Sequence, residues 1–432
     1  MNTTSSKTKN NWKASFFTIW IGQQFSLLGS MLAGFALTWW VTKQTGSATM
    51  LATLTMVMML PEVFLGPFVG ALIDRWNRRA VMIVADSVVA LFSAWLALLF
   101  WKGALQMWHI YLIMLVRAIG GTFHWPAMAA STSLMVPREH LSRVAGLNQT
   151  MMGIRNIVSP PVGAFLMTLL PVHGLMAIDV ITAVTAIVPL FLVRIPQPDR
   201  RPHAEGKPTH LLRDVHEGLA YVWHWPGLSA LLLMATLINL LLNPAFSLLP
   251  ILVQKHFGGE ALQLGWMQSA WGIGVILGGL LLSVWGGFKR RIATSLTGVI
   301  GMGVGTLMIG MLPSTAFGMA SGAMFFVGVT NVLANGPVNA IMQDVVDPNM
   351  QGRVFTLVGS MCSAMSPLGM ALAGPVADAL GVTTWFIIGG VACLLMGAIA
   401  LMIPSVMNLE EGRRAQERLE TMPVATSGSE TG

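Results

Sequence analysis

Gly70-Ala-Leu-Ile-Asp74-Arg75-Trp-Asn-Arg78-Arg79 sets one acid and three bases between two long apolar runs, 47–73 and 80–100, whose only charges are Glu62 and Asp86. Each run reaches the roughly 20 residues that a helix needs to cross a hydrocarbon core. The stretch therefore reads as a hairpin of two membrane-spanning helices with a charged turn in water. Ten more runs of the same kind occur, giving 15–42, 47–73, 80–100, 108–136, 144–170 and 175–193, then 227–253, 262–286, 292–312, 316–343, 355–380 and 384–407. Strand alternation is nowhere sustained, so helices rather than a barrel must satisfy the backbone in lipid. Composition agrees: of 432 residues 54% are hydrophobic and 10% charged, with a mean hydropathy of +0.68. That balance excludes a secreted or cytosolic enzyme, a disordered chain and a fibrous protein, because no soluble globule of this size hides so much apolar surface. The two cysteines, Cys362 and Cys393, lie in apolar runs and imply no disulfide framework or metal cage.

The charges set the orientation. With the N-terminus inside, 20 basic residues fall in cytoplasmic segments and only Lys43, Lys102 and Lys255 in external loops. The positive-inside rule demands that bias, which absorbs the net +7 without a nucleic-acid partner. Both termini are expected in the cytoplasm, with the first run retained as an anchor rather than cleaved as a signal peptide. The longest polar break, 195–226, separates 15–194 from 227–407, six helices each, and tails 1–14 and 408–432 flank them. Pro126, Pro137, Arg143-Val144 and Ser159-Pro160 recur in order as Pro337, Pro348, Arg353-Val354 and Ser366-Pro367, which reads as an internal repeat.

Twelve helices in two repeated halves resemble the major facilitator superfamily, and Gly70–Arg79 is similar to its signature loop between helices 2 and 3. Phe16-x3-Trp20-x-Gly22-Gln23-x2-Ser26-x2-Gly29 resembles the first helix of its drug-efflux members. Together with Asn11-Trp12-Lys13, Thr45-Gly46-Ser47-Ala48, Val193-Arg194-Ile195-Pro196 and Gly352-Arg353-Val354-Phe355, it resembles the macrolide-efflux group. Leu112-x4-Arg117-x2-Gly120-Gly121 is similar to the helix-4 arginine motif of proton-linked members. Gly153-x5-Ser159-Pro160-Pro161-x-Gly163 is similar to the helix-5 motif of antiporters, departing from it at Ala164. The resemblance implies an all-α carrier in a bacterial inner membrane that exports lipophilic drug-like compounds, macrolides foremost, in exchange for protons. No cofactor or metal and no enzyme activity are implied, and a monomer is expected. The rival readings are an exporter of an endogenous siderophore or lipid-like amphiphile, or a sensor that kept the fold and lost transport.

Candidate residues follow from physical cost. Gly70 lets a neighbouring helix come close, and Asp74 can then cap the helix beginning after Arg353, with Arg75, Arg78 and Arg79 at hand. The resemblance makes this a cytoplasmic gate latch; the plain alternative is a topology-setting basic loop. Gly286-Gly287-Phe288-Lys289-Arg290-Arg291 in the second half has no carboxylate, so the latch is expected on one side only. Charges deep in the bilayer need a partner or a cavity. Glu62, Arg117 and Arg155 are such charges, and Glu62 paired with Arg117 is the expected proton-coupling site; a static ion pair is the alternative. Asp86, Asp179 and Asp378 read as interfacial structural groups, and His124 as packing or substrate lining. Prolines 160 and 161, with Gly153, Ser159 and Gly163, suit a helix that bends or seals the halves. Gln23, Gln24, Trp125, Asn239, Asn243, Asn331, Asn335 and Asn339 are the expected cavity wall, with interhelical amide bonding as the equal alternative. Gly272-x-Gly274-x3-Gly278-Gly279 imitates a dinucleotide fingerprint, but no strand precedes it, so it reads as helix packing.

Overall fold

The computed structural model describes residues 12–196, 219–223, 225–347 and 350–410. These form twelve long helices and no strand: α1 Trp12–Thr45, α2 Ala48–Arg75, α3 Arg78–Lys102, α4 Met107–Met135, α5 Leu141–Leu169 and α6 Val172–Leu192, then α7 Pro226–Ser247, α8 Ala261–Trp285, α9 Arg291–Met311, α10 Phe317–Val345, α11 Gln351–Leu380 and α12 Val382–Met402. Most of the polar segment 195–226, the tails 1–11 and 411–432, and the landmark Pro348 lie outside the described residues. Ten of the twelve are long and apolar enough to span a membrane; α4 and α5 are not. The shortfall has a local cause. α4 carries His109, Arg117 and His124, and α5 carries Arg143, Asn148, Gln149, Arg155 and Asn156.

Local chemistry marks the ends. Ser47 caps α2 by accepting from the Met50 amide, and Asn77 caps α3 by accepting from Ala80. α3 and α8 stop at Gly103 and Gly286, both in the left-handed region with φ of 65° and 76°, a conformation glycine adopts without strain. Prolines inside α2, α4, α5, α6, α7, α10 and α11 leave those helices continuous.

Packing repeats with a shift of six. In the first half α1 packs on α6 and α5, α3 on α4 and α6, and α2 on α4; in the second, α7 packs on α12 and α11, α9 on α10 and α12, and α8 on α10. The principal joins between halves, α2 on α11 and α5 on α8, exchange under the same shift. The arrangement is therefore pseudo-twofold.

Glycines bring α8 and α10 into backbone contact. A methyl group on Gly274 would overlap the carbonyl oxygen of Phe325 and sit 3.1 Å from the Gly328 Cα, and one on Gly278 would meet the Val329 backbone at 2.6 Å. The Gly272–Gly279 pattern is thus interhelical packing.

Candidate functional site

The two ends of the molecule differ. We call the end bearing Arg75, Arg78, Arg79, Arg138, Arg143, Arg290 and Arg291 the basic face, and the opposite end the far face. At the far face the halves are locked together. Asp378, in the last turn of α11, accepts from the Ser47 hydroxyl at 2.8 Å and from the Ala48 and Thr49 amides at 2.7 and 2.9 Å. Its charge meets the positive end of the α2 dipole and satisfies amides that the helix leaves unpaired. Nearby, Gly374 of α11 lies against Thr49 and Ala52, and Lys43 pairs with Glu260 at 3.0 Å across the halves. On the other join, Gly265 of α8 rests on the backbone of Pro160 and Pro161, and Ser269 donates to the Ile157 carbonyl. Ser159 is buried, its hydroxyl toward the Met31 sulfur, and Gly163 lies under the Phe35 ring; Gly153 faces open space.

At the basic face glycines of the same four helices face open space. A methyl group on Gly66 or Gly70 of α2, Gly146 or Gly153 of α5, Gly279 of α8, or Gly352 or Gly359 of α11 would meet no atom of another element within 4 Å. Asp74 is exposed and, among the described residues, pairs only with Arg78, at 3.4 Å, within its own half. The expected cap of Asp74 on α11 is therefore absent from this conformation, in which Asp74 turns to Arg78. Arg78 also donates to the Ala130 carbonyl of α4, and Arg79 to the Leu190 and Phe191 carbonyls, where it closes the end of α6. The reading that a carboxylate latch exists at one end only also needs correction. Asp378 makes such a cap at the far face, four residues after Gly374 just as Asp74 follows Gly70.

The embedded charges pair differently from the expectation. Arg117 meets Asp179 of α6, not Glu62, at 2.5 Å. Asp179 is 1% exposed and also accepts from Ser30 of α1 and Ser93 of α3; Arg117 in turn donates to the Ser30 carbonyl. Four helices meet on this one dry ion pair, so Asp179 is a core residue rather than an interfacial one. Glu62 is exposed and has no hydrogen-bond or ion-pair partner among the described residues. Side-chain direction decides this: Glu62 and Arg117 share a depth but not a face.

Nearer the basic face lies a second polar layer. Gln23 donates to Asp86 at 2.9 Å, and the His124 Nε2 stands 3.4 Å from the other Asp86 oxygen. Beside it a pocket of about 60 Å³ is lined by Gln23, Gln24, His124, Trp125, Asn148 and Arg155. Arg155 is buried and donates to the Gln24 side chain. In the second half Asn243 bonds both Asn239 and Ser366, joining α7 to α11, whereas Asn335 and Asn339 present exposed side chains that bond only their own helix one turn back. Asn331 sits half-buried one turn before Asn335. A larger concavity of about 750 Å³ lies between α3 and α4, lined by Arg75, Val84, Val88, Val116, Ile119 and Phe123.

The family profile of the Major Facilitator Superfamily matches residues 19–370 and, again, 231–426. The chain belongs to this superfamily. Among superfamily relatives it is 33% identical over 401 residues to macrolide efflux protein A of Streptococcus pyogenes, covering 93% of this chain and 98% of the relative. It is 29% identical to the multidrug efflux pump Tap of Mycolicibacterium fortuitum, covering 87% and 92%. Its superfamily fold superposes with a TM-score of 0.67 on a bacterial homologue of the human lysosomal transporter Spinster, solved inward-facing and unoccupied, at 13% identity over 95% of this chain and 98% of that one. It is a multi-pass membrane transporter, not an enzyme.

The far-face cap has a measurable consequence. Asp378→Ala removes three bonds to the start of α2, a loss of about 1–2 kcal/mol for a helix cap, or roughly tenfold in a two-state ratio. Spin labels at Thr53 and Leu380, in a background lacking Cys362 and Cys393, should show a longer far-face distance population that Asp378 suppresses. An unchanged distribution would make the cap incidental to closure.

Proposed function

We propose that the chain is a proton-coupled exporter of lipophilic drug-like compounds, with macrolides as the leading substrate, working by alternating access in a bacterial inner membrane. The 33% identity to macrolide efflux protein A over nearly the full length of both chains carries this reading. The basic face is then the cytoplasmic one, with both termini on that side, and the closed far face makes the present conformation inward-facing. In the opposite conformation Asp74 would take up at the α11 start the role that Asp378 fills at the α2 start. Each cap is lost when its face opens, so the two states exchange similar interactions and differ little in energy, as a carrier requires. Trp125, Gln24 and the exposed asparagines of α10 suit a large ligand held by apolar area and a few uncharged polar contacts. Gly153, Ser159, Pro160, Pro161 and Gly163 serve the α5–α8 join that opens and closes with them.

The test is purified protein in liposomes with an acidic lumen, given tritiated erythromycin. A weak base accumulates in an acidic lumen by itself, so protein-free liposomes set the baseline. Accumulation several-fold above that baseline, abolished by a protonophore, is expected. Accumulation equal to the baseline would overturn proton-coupled macrolide export.

A further inference from the structure

We propose that Asp86 and His124, anchored by Gln23, form the site that takes up and releases the coupled proton. The proposal rests on the proton-coupled reading above and assigns the site that reading leaves open. Its starting point is a register shared by three helices. Ser30, Ser93 and Arg117 surround Asp179; Gln23, Asp86 and His124 lie seven residues away on α1, α3 and α4, each toward the basic face. At 1.5 Å per residue the two layers are about 10 Å apart.

The layers differ in how well they are satisfied. Both Asp179 oxygens are bonded, one to Ser30 and the other to Ser93 and Arg117. No position beside them is left for a further proton. In the second layer His124 is 8% exposed, and its Nε2 is buried without a hydrogen bond. What it faces, at 3.4 Å, is a carboxylate oxygen. A ring nitrogen without a hydrogen bond, opposite a carboxylate oxygen, leaves room for one proton. Histidine is the side chain suited to gain and lose that proton near neutral pH.

The balance is simple. A proton entering from the far-face side binds His124 Nε2, which becomes a donor to Asp86, and the pair is neutral overall. When the basic face opens, the proton leaves Nε2 to water and the pair carries one negative charge, with Gln23 still bonded to Asp86. An anion is costly to enclose in a dry, low-dielectric site and a neutral pair is less so, which ties loading to closure. Both Gln23 and His124 also line the pocket beside Trp125 and Gln24. A lipophilic substrate bearing an amine would balance the unloaded pair's charge there, so proton and cationic drug exclude each other.

The other charges around the pair are accounted for. Arg155 of α5 stands on the same pocket wall but is engaged by Gln24. The Arg117–Asp179 pair occupies the neighbouring layer of α4 and α6, Glu62 sits on α2, and Asp74, Arg75, Arg78 and Arg79 gather at the α2–α3 turn. Between Lys13 and Lys43, α1 carries no charged group and offers the amides Gln23 and Gln24.

Proton release on drug binding tests the pair. The full-length protein in weakly buffered detergent at pH 7, with a pH-indicator dye, is mixed with saturating tritiated erythromycin. Wild type should release up to one proton per drug bound, and by linkage the release should fall about tenfold or more in Asp86→Asn and His124→Gln. Asp86→Glu, which restores a carboxylate, should recover it. If Asp86→Asn is not monodisperse on gel filtration, His124→Gln carries the same comparison. Wild-type release persisting in both variants, alongside pH-driven accumulation in liposomes, overturns the assignment and leaves proton-coupled export standing. A wild type with neither release nor pH-driven accumulation overturns both.

Discussion

Asp179→Ala should cost the carrier about 3–5 kcal/mol of stability, the usual penalty for breaking a buried ion pair by removing one partner. Asp179 is almost wholly enclosed, and its loss leaves the Arg117 guanidinium, itself nearly buried, without a counter-charge. It also leaves the hydroxyls of Ser30 and Ser93 without their acceptor. The damage spreads because the pair joins α1, α3, α4 and α6, whose mutual packing makes up most of the first half. Thermal unfolding of purified protein in detergent should show the single variant well below wild type. The double variant Asp179→Ala with Arg117→Ala should be destabilised by less than the sum of the single changes, since it removes the orphaned charge. A single variant as stable as wild type would mean that the pair is neither dry nor structural.

Gly274→Val is expected to be nearly as severe, for a steric reason. Overpacking of a tight core costs about 1–3 kcal/mol, occasionally more, and here the obstruction is backbone, which cannot turn aside as a rotamer can. A valine at 274 would drive into the Phe325 carbonyl and the Gly328 Cα, prying α8 from α10 along a contact that Gly278 continues. Gly146→Ala on α5 is the contrast. It meets open space, and a mid-helix glycine replaced by alanine should gain about 0.5–1 kcal/mol. Monodisperse yield and melting temperature read both. Equal behaviour of the two variants would mean that the α8–α10 crossing is looser than these contacts require.

The site was only partly legible along the chain. Arg117 and His124 are seven residues apart on one helix, so their shared side of α4 can be read directly. Their partners come from other helices. Glu62 looked like the mate of Arg117 because hydropathy gives depth, and the two have similar depth. Depth says nothing about azimuth, and α2 turns Glu62 away while α6 delivers Asp179. The Asp378 cap had a visible sign in the repeated glycine-to-aspartate spacing, Gly70 to Asp74 and Gly374 to Asp378. That sign lies on α2 and α11, which the internal repeat does not equate, so the second-half loop at 286–291 carries no trace of it.

Hydropathy, charge asymmetry and the recurrence of proline and arginine landmarks determined the membrane class, the helix count and the repeated halves, because these depend on residue chemistry and short spacings alone. The same holds for the packing role of Gly272–Gly279, since no strand precedes it. Only the tertiary structure decided which buried charges pair, which face is shut and which amides join helices rather than line a cavity. Those outcomes depend on how neighbouring helices are rotated against one another. Rotation is fixed by contacts such as Gly274 on Phe325 and Asp378 on the start of α2, between residues far apart in the chain.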